Sequence, residues 1–390
     1  MRSAAGQACI VGIGASRFGR RLPESQLALG SVAFKAALAD SGLSRDDVDG
    51  LSIHLGSPLG LDYDRVAEAF GLGIRYVNQS WLHGRFVTHA LQHAALAVEA
   101  GLAGVVACVT AVSFTRAAAV LGGDDDVEGG REEGGTHGES PPYGLTAPAS
   151  GAALAMQRYM HVHGATSRQL AAVPMAMRKH ARLNPAALMR NPMTLEDHQS
   201  SRMVVDPLHL LDCCLMTDGA VVVLVASAER AGDLVPRPVR IAGMQGIRSG
   251  REEFIFAPRG MGLNQQTFGR MAARERDLEI YRNAGVERAD VQGLYTYDAF
   301  SPLVPFTLER FGFCGPGEAA SFVQDGAIEL GGTLPVNTSG GLLSEAHVGG
   351  WNSIAEMVRQ LRGTAGASQI PNASCLQWCT AWGDSVILRN

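Results

Sequence analysis

The stretch "NTSGGLLSEAHVGG", residues 337–350, sets one carboxylate and one imidazole among small residues. Gly, Ser and Ala contribute little to a hydrophobic core, but they let the backbone come close to another group. His347 could give or take a proton near neutral pH, although an isolated histidine in a loop can also be structural. Glu345 is expected to accept hydrogen bonds from backbone amides rather than to act as a base. The stretch is the first candidate for a catalytic site.

The rest of the sequence shows no complete motif for a metal site or a nucleotide-binding site. His89 and His93 have the i, i+4 spacing of metal ligands on a helix, but no third ligand is evident. The segment "GIGASRFG" lacks the third glycine of a dinucleotide-binding loop. We therefore expect no metal and no resident cofactor.

Composition excludes several broad classes of protein. The chain has 390 residues, 46% of them hydrophobic, and a formal net charge of −5. No basic run suggests nucleic-acid binding, and no apolar run reaches the roughly 20 residues of a membrane span. We also expect no signal peptide before the first strand-like run. The cysteines are odd in number and lack CxxC spacing, which favours a reduced, cytoplasmic location. They lie at positions 9, 108, 213, 214, 314, 375 and 379.

The elements that would position His347 are repeated along the chain. "ALADSGLSRDDVDGLSIH" and "IYRNAGVERADVQGLYTY" both predict a helix end, a glycine C-cap, a short acidic turn and a strand. "YVNQSWLHGRFVTHALQHAALAVEAGLAG" and "PVNTSGGLLSEAHVGGWNSIAEMVRQLRG" share a strand–loop–helix layout. "ACIVGIG" and "VRIAGMQG" predict matching first strands. We therefore predict two similar α/β halves, 1–235 and 236–390, with mainly parallel sheets covered by helices.

Two segments of the first half stand outside this repeat. Residues 121–142 are rich in glycine and acidic residues and predict a mobile loop. Residues 157–202 have helical spacing and predict an inserted helical segment that covers the site. Within it, "NPMTLEDHQSSRMV" predicts a helix that opens with proline at its first position.

Four motifs, in order, resemble those of the thiolase superfamily, in the branch related to sterol-carrier-protein thiolases. They are "SRMVVDPLHLLDCCLMTDGAVVVLVAS", "YDAFSP", "NTSGGLLSEAHVGG" and "CTAWGDSVIL". The resemblance covers nearly the whole chain and includes the internal duplication. It implies an α/β thiolase fold of five layers, αβαβα, and a homodimer.

This chain departs from the thiolase pattern at the position of the nucleophile. A thiolase carries a reactive cysteine at the start of the buried helix of the first half, where the helix dipole favours the thiolate. Here the aligned position falls near Gly84, beside His83, and the helix contains no cysteine. Cys9 and Cys108 are interpreted as small core residues. Tyr297 replaces a family histidine, while Cys379 is retained without the glycines that normally follow it.

A similar set of losses occurs in acyl-CoA retro-aldolases of steroid side-chain degradation, which the sequence also resembles through "YDAF" and "GGLLSEA". That resemblance implies cleavage of a 3-hydroxyacyl-CoA by acid–base chemistry, and a small partner with a zinc ribbon and an OB fold. His347 stands where those enzymes tend to have a second tyrosine. The residues implied in catalysis are His347, Tyr297 and Cys379. Those implied in substrate binding are His83, Gly84, Gly340, Gly341 and Ser344, and coenzyme A would enter only as part of the substrate.

Two alternatives remain open at this stage. A divergent thiolase could transfer acyl groups through Cys379 or without covalent catalysis. A non-catalytic scaffold could bind acyl-CoA or a partner subunit. The missing nucleophile argues against the first, and the retained polar residues argue against the second.

Overall fold

A computed structural model describes residues 8–55, 60–80, 87–117, 148–235, 237–247, 275 and 278–390. The predicted mobile loop at 121–142 lies outside these ranges, as do His83 and Gly84. Within them, no helix combines the length and the apolar character needed to cross a membrane.

Eleven strands and thirteen helices are present in the described ranges. The strands are β1 Ala8–Ala15, β2 Gly50–His54, β3 Tyr76–Ser80, β4 Val105–Ser113, β5 Met203–Val205, β6 Leu208–His209, β7 Asp218–Ser227, β8 Val239–Gln245, β9 Gly293–Tyr295, β10 Cys375–Cys379 and β11 Ser385–Arg389. The helices are α1 Gln26–Ser41, α2 Tyr63–Phe70, α3 Val87–Glu99, α4 Phe114–Ala117, α5 Pro148–His163, α6 Ser167–Leu170, α7 Ala172–Leu183, α8 Leu195–Ser200, α9 Ala228–Leu234, α10 Glu279–Ala284, α11 Leu303–Arg310, α12 Ala319–Phe322 and α13 Trp351–Arg362.

Nine of the strands join in the order β3-β2-β4-β7-β1-β8-β11-β10-β9. Strands β1 and β8 pair at the middle of this order, and the parallel and antiparallel pairings follow the same sequence outward from each of them. At the far end of the second side, a parallel bridge from Leu294 to Val336 corresponds to the pairing of β2 with β3. The division of the chain at residues 235 and 236 stays a prediction, but this symmetry is what a duplicated α/β unit would give.

The sheet is mixed, so the prediction of mainly parallel pairing is wrong. Strand pairs β2–β3, β2–β4 and β9–β10 are parallel, whereas β1–β7, β1–β8, β4–β7, β8–β11 and β10–β11 are antiparallel. The physical reason is clearest at β10–β11, where only residues 380–384 connect the strands. A connection that short cannot cross over, so it must form a hairpin.

The repeated helix-to-strand turns are confirmed. Gly42 ends α1 and Gly285 ends α10, both in the left-handed region, with φ of 69° and 63°. Such a C-cap favours glycine because a side chain at positive φ is strained. A short 3₁₀ turn and a strand follow each glycine.

Successive side chains of each strand point to opposite faces of the sheet, and the buried ones form three hydrophobic clusters. In β1, Ile10 faces a central cluster and Val11 an outer one. In β11, Leu388 faces the central cluster and Ile387 faces the other outer one. Helices α3 and α13 fill the central cluster, α1 and α2 cover the first half-sheet, and α10 covers the second. The result is the expected five-layered αβαβα arrangement.

The segment predicted to be a helical insertion, 157–202, is mostly helical and runs from within α5 to α8, whereas its status as an insertion stays a prediction. Its last helix begins later than expected. Thr194, not a proline, caps α8: its side chain accepts the backbone N–H of Asp197, whose carboxylate accepts the N–H of Thr194 in return. The helix starts at this capping box rather than at the proline because the box satisfies two backbone N–H donors at once.

Candidate active site

Tyr297 and His347 come together at the central cluster. Tyr297 follows the end of β9, and His347 precedes α13. The Tyr297 Oη lies 3.0 Å from the His347 Nε2. Their side chains are almost dry, with 2% and 8% of their surfaces exposed. Because water is nearly excluded, a hydrogen bond between these two atoms is stronger than it would be in solvent.

The His347 ring is held from several sides. Phe114, the first residue of α4, stacks on the imidazole with ring centroids 4.6 Å apart. The Thr217 Oγ1 donates to the His347 carbonyl oxygen at 3.0 Å and accepts the His347 N–H at 2.9 Å. Burial lowers the pKa of His347 to about 4. The imidazole is therefore neutral at physiological pH and can accept a proton.

Asp298 holds the turn that leads to His347. Its carboxylate accepts the backbone N–H of Leu342 at 2.9 Å and that of Leu343 at 3.4 Å. Burial raises the Asp298 pKa to about 7, against the opposing effect of these hydrogen bonds. These contacts show that Asp298 fixes two backbone amides of the turn.

The residues predicted to bind substrate along this turn have packing partners within the protein. Gly341 has φ of 60°, and a Cβ there would lie 2.2 Å from the Asp298 Oδ2. A Cβ on Gly340 would lie 2.8 Å from the Ala181 Cβ in α7. The Ser344 Oγ accepts a hydrogen bond from the Arg178 Nε at 3.2 Å. Substrate contact by these three residues stays a prediction, because packing alone accounts for their small size.

Glu345 differs from expectation. Its carboxylate accepts from side chains rather than backbone amides: Asn184 Nδ2 at 2.9 Å, Ser339 Oγ at 2.5 Å and Asn352 Nδ2 at 2.7 Å. Burial raises the pKa of Glu345. Glu345 therefore joins α7, the turn and α13 into one polar cluster. Two backbone N–H groups of the turn, those of Leu342 and Leu343, donate to Asp298 instead.

Cys379 does not join Tyr297 and His347. On β10, Trp378 faces the central cluster, so the alternation of the strand turns Cys379 to the outer cluster with Leu343 and Ile387. Cys379 is fully buried there, and burial raises its pKa well above the usual value. Because Cys379 faces the opposite side of the sheet from Trp378, this placement does not support its assignment to the catalytic group, which stays a prediction.

None of the cysteine thiols in this chain is activated for attack as a thiolate. All seven cysteines lie in the described ranges and are free. Burial is the main influence on each thiol and raises its pKa. Helix α3, which the sequence resemblance matches to the nucleophile helix of thiolases, contains no cysteine from Val87 to Glu99. A protonated thiol is a poor nucleophile towards a thioester.

One residue at the site was not predicted. The Cys214 Sγ lies 3.5 Å from the His347 Nδ1, on the side of the ring opposite Tyr297. It belongs to residues 213–217, a segment that we call the strap and that leads into β7. The sequence shows the strap only as part of a family motif, and no local spacing connects it with His347.

Metal binding has no candidate among the described residues, where no cluster of three or more His, Cys, Asp or Glu side chains could hold an ion. His89 and His93 pack against each other with ring centroids 4.3 Å apart.

Comparisons with known proteins show the family to which the chain belongs. A family model described as "Thiolase C-terminal domain-like" matches residues 261–383. The "17-hydroxy-3-oxo-4-pregnene-20-carboxyl-CoA lyase" of Mycobacterium tuberculosis is 43% identical over 372 residues, covering 92% of each chain. The "Steroid side-chain-cleaving aldolase" of Thermomonospora curvata is 39% identical, covering 92% of this chain and 91% of that protein.

A solved structure described as "Ltp2-ChsH2(DUF35) aldolase" superposes with a TM-score of 0.84 at 36% identity, covering 99% of this chain and 98% of that one. The similarity spans both halves of the fold and both segments that carry Tyr297 and His347. The chain therefore belongs to the thiolase superfamily, in the branch that contains the steroid side-chain-cleaving acyl-CoA aldolases.

Proposed function

We propose that this protein is a carbon–carbon lyase that cleaves a 3-hydroxyacyl-CoA thioester by a retro-aldol reaction. The substrate class is a steroid or related side chain whose β-carbon carries a hydroxyl group and no hydrogen. The names of the two curated relatives support this class. The observation that carries the proposal is the Tyr297–His347 hydrogen bond of 3.0 Å in a nearly dry site without an activated thiol.

The reaction needs proton transfer and no covalent intermediate. A base removes the proton of the β-hydroxyl, the bond between the α- and β-carbons breaks, and a ketone forms at the β-carbon. The bonding electron pair goes to the departing thioester as an enolate. One proton returned to its α-carbon gives the acyl-CoA product. One substrate becomes two products, with no water, free coenzyme A or redox partner consumed.

Tyr297 and His347 are suited to carry this proton. A neutral imidazole can accept the phenolic proton at Nε2 while the phenol oxygen takes the proton of the substrate hydroxyl. The low pKa of His347 makes the imidazolium a strong acid, so the same proton is readily returned to the enolate.

The alternatives find less support. Covalent acyl transfer of the thiolase type requires a thiolate, and burial raises the pKa of every thiol, including that of Cys379. A scaffold that only binds acyl-CoA has no need for two titratable groups paired in a buried site.

Trapping experiments separate the lyase from an acyltransferase. Enzyme mixed with substrate and quenched in acid should show no acyl adduct by mass spectrometry of the intact protein. Cys379→Ala should leave kcat essentially unchanged and lower the free energy of unfolding by about 1 kcal/mol, the usual scale for a small loss of buried volume. An adduct on Cys379, together with an inactive Cys379→Ala variant, would restore the acyltransferase.

We also propose a homodimer that works with a small partner carrying an OB fold and a zinc ribbon, in the cytoplasm. The solved relative is named together with a second component, ChsH2(DUF35), and the seven free cysteines suit a reducing compartment. Light scattering of the purified chain at micromolar concentration should give at least twice the chain mass. A stable monomer under those conditions contradicts the dimer.

A further inference from the structure

We propose that Cys214 is a positioning residue: its sulfur accepts the Nδ1–H of His347 and so keeps Nε2 free to accept a proton from Tyr297. The inference deepens the proposed function and rests on it. It concerns a neutral thiol that acts through a hydrogen bond, and it involves no covalent step at sulfur.

The imidazole lies between two hydrogen-bonding groups. The Tyr297 Oη is 3.0 Å from Nε2, and the Cys214 Sγ is 3.5 Å from Nδ1. Phe114 stacks on the ring with an angle of 14° between the planes, which fixes the plane in which the two nitrogens lie. Each ring nitrogen therefore faces one defined partner.

The chemistry of the partners selects the tautomer. A neutral imidazole has one N–H donor and one acceptor nitrogen. A phenol is a good donor, whereas a thiol is both a weak donor and a weak acceptor. The stronger of the two possible arrangements has the Tyr297 O–H donating to Nε2. Nδ1 then carries the hydrogen, and it points at the Cys214 sulfur.

The strap holds this sulfur in place through the two segments that carry Tyr297 and His347. The Cys214 N–H donates to the Ala299 carbonyl at 2.9 Å, and the Leu215 N–H donates to the Leu342 carbonyl at 3.1 Å. An antiparallel bridge also joins Cys213 to Phe300. The sulfur is thus fixed relative to the Tyr297 loop and to the turn before His347 at the same time.

In this arrangement His347 is the base and Cys214 is the group that orients it. In nucleophile–base pairs, a third group hydrogen-bonded to the far nitrogen of the histidine selects the tautomer that can accept the proton. A carboxylate in that role also stabilises the imidazolium. A neutral thiol selects the tautomer without doing so, which matches the lowered pKa of His347.

The direct test is ¹⁵N NMR of the full-length chain with labelled histidine, without substrate. The His347 signals are assigned by comparison with His347→Gln. The unsubstituted protein should show hydrogen on Nδ1 and an unprotonated Nε2. Cys214→Ala should give a mixture of the two tautomers, and Cys214→Ser, which keeps an acceptor, should restore the Nδ1–H form.

Kinetics give a second readout. Cys214→Ala should lower kcat by roughly 10-fold, which is less than the roughly 10²-fold or more expected for losing the acid or base itself. KM should change little, and Cys214→Ser should recover most of the loss. Cys213→Ala is the matched control, since the Cys213 thiol donates to the His209 carbonyl at 3.6 Å. It should leave the tautomer and kcat as they are.

Hydrogen on Nε2 in the unsubstituted protein would overturn the inference, and so would a tautomer that Cys214→Ala does not change. The first of these measurements needs no variant of Cys214, so it decides even if the variants fold poorly. Neither depends on turnover. The proposed tautomer can therefore be disproved while the lyase activity is confirmed, and the lyase activity can be disproved while the tautomer is confirmed.

Discussion

Tyr297→Phe should lower kcat by roughly 10²-fold or more, the usual scale for removing a positioned acid or base. The substitution deletes one oxygen and keeps the ring, which packs in the central cluster. It removes the partner 3.0 Å from the His347 Nε2, and with it the path for the proton between substrate and imidazole. Steady-state kinetics on a 3-hydroxyacyl-CoA, with KM and kcat separated, measure the effect.

Tyr295→Phe is the matched control for this variant. Tyr295 lies two residues earlier in the same cluster, and its hydroxyl pairs with the Thr338 Oγ1 at 2.7 Å rather than with His347. Its loss should lower the free energy of unfolding by about 1 kcal/mol, the typical net value of a hydrogen bond, and leave kcat nearly unchanged. If both variants slow turnover equally, the effect belongs to packing and not to proton transfer.

His347→Ala should likewise lower kcat by roughly 10²-fold or more. His180→Gln is its control: His180 is also buried with a pKa lowered to about 4, but its nitrogens pair with the Asn337 carbonyl and the Leu330 N–H. The control should lose stability and keep its kcat. A His347→Ala enzyme with normal kcat would remove this residue from the mechanism.

The pH dependence of kcat follows from the same site. Because burial lowers the pKa of His347 to about 4, the neutral, proton-accepting imidazole persists as pH falls from 7 and is lost only near 4. Activity that depends on it should therefore decline through about pH 4, well below the range of an exposed histidine. Asp298, with a pKa of about 7, is hydrogen-bonded to the turn that leads to His347. An inflection near pH 7 that disappears in Asp298→Asn would belong to that carboxyl group.

Sequence patterns could predict the parts of the molecule that local chemistry decides. Gly42 and Gly285 mark equivalent helix ends because both take the left-handed conformation. The small residues around His347 predicted that the backbone comes close to another group, and within the protein Asp298 lies closest to a Cβ at Gly341 and Ala181 to one at Gly340.

Other features depend on contacts that are distant in sequence. Cys214 reaches His347 only because the strap pairs with both site segments. The antiparallel strand pairs depend on connections that periodicity does not reveal. The burial of Cys379 in the outer cluster, by contrast, could have been deduced from alternation with Trp378 once β10 was recognised.

The balance of coenzyme A is the measurement that tests the central claim most directly. Enzyme, with its small partner added if it is required, is incubated with a 3-hydroxyacyl-CoA that has a fully substituted β-carbon, in the absence of free coenzyme A. Products are counted by liquid chromatography and mass spectrometry. The retro-aldol account predicts one acyl-CoA and one ketone for each substrate consumed, at a rate that added coenzyme A does not raise. Cleavage that requires free coenzyme A and yields two thioesters from a 3-ketoacyl-CoA would contradict it.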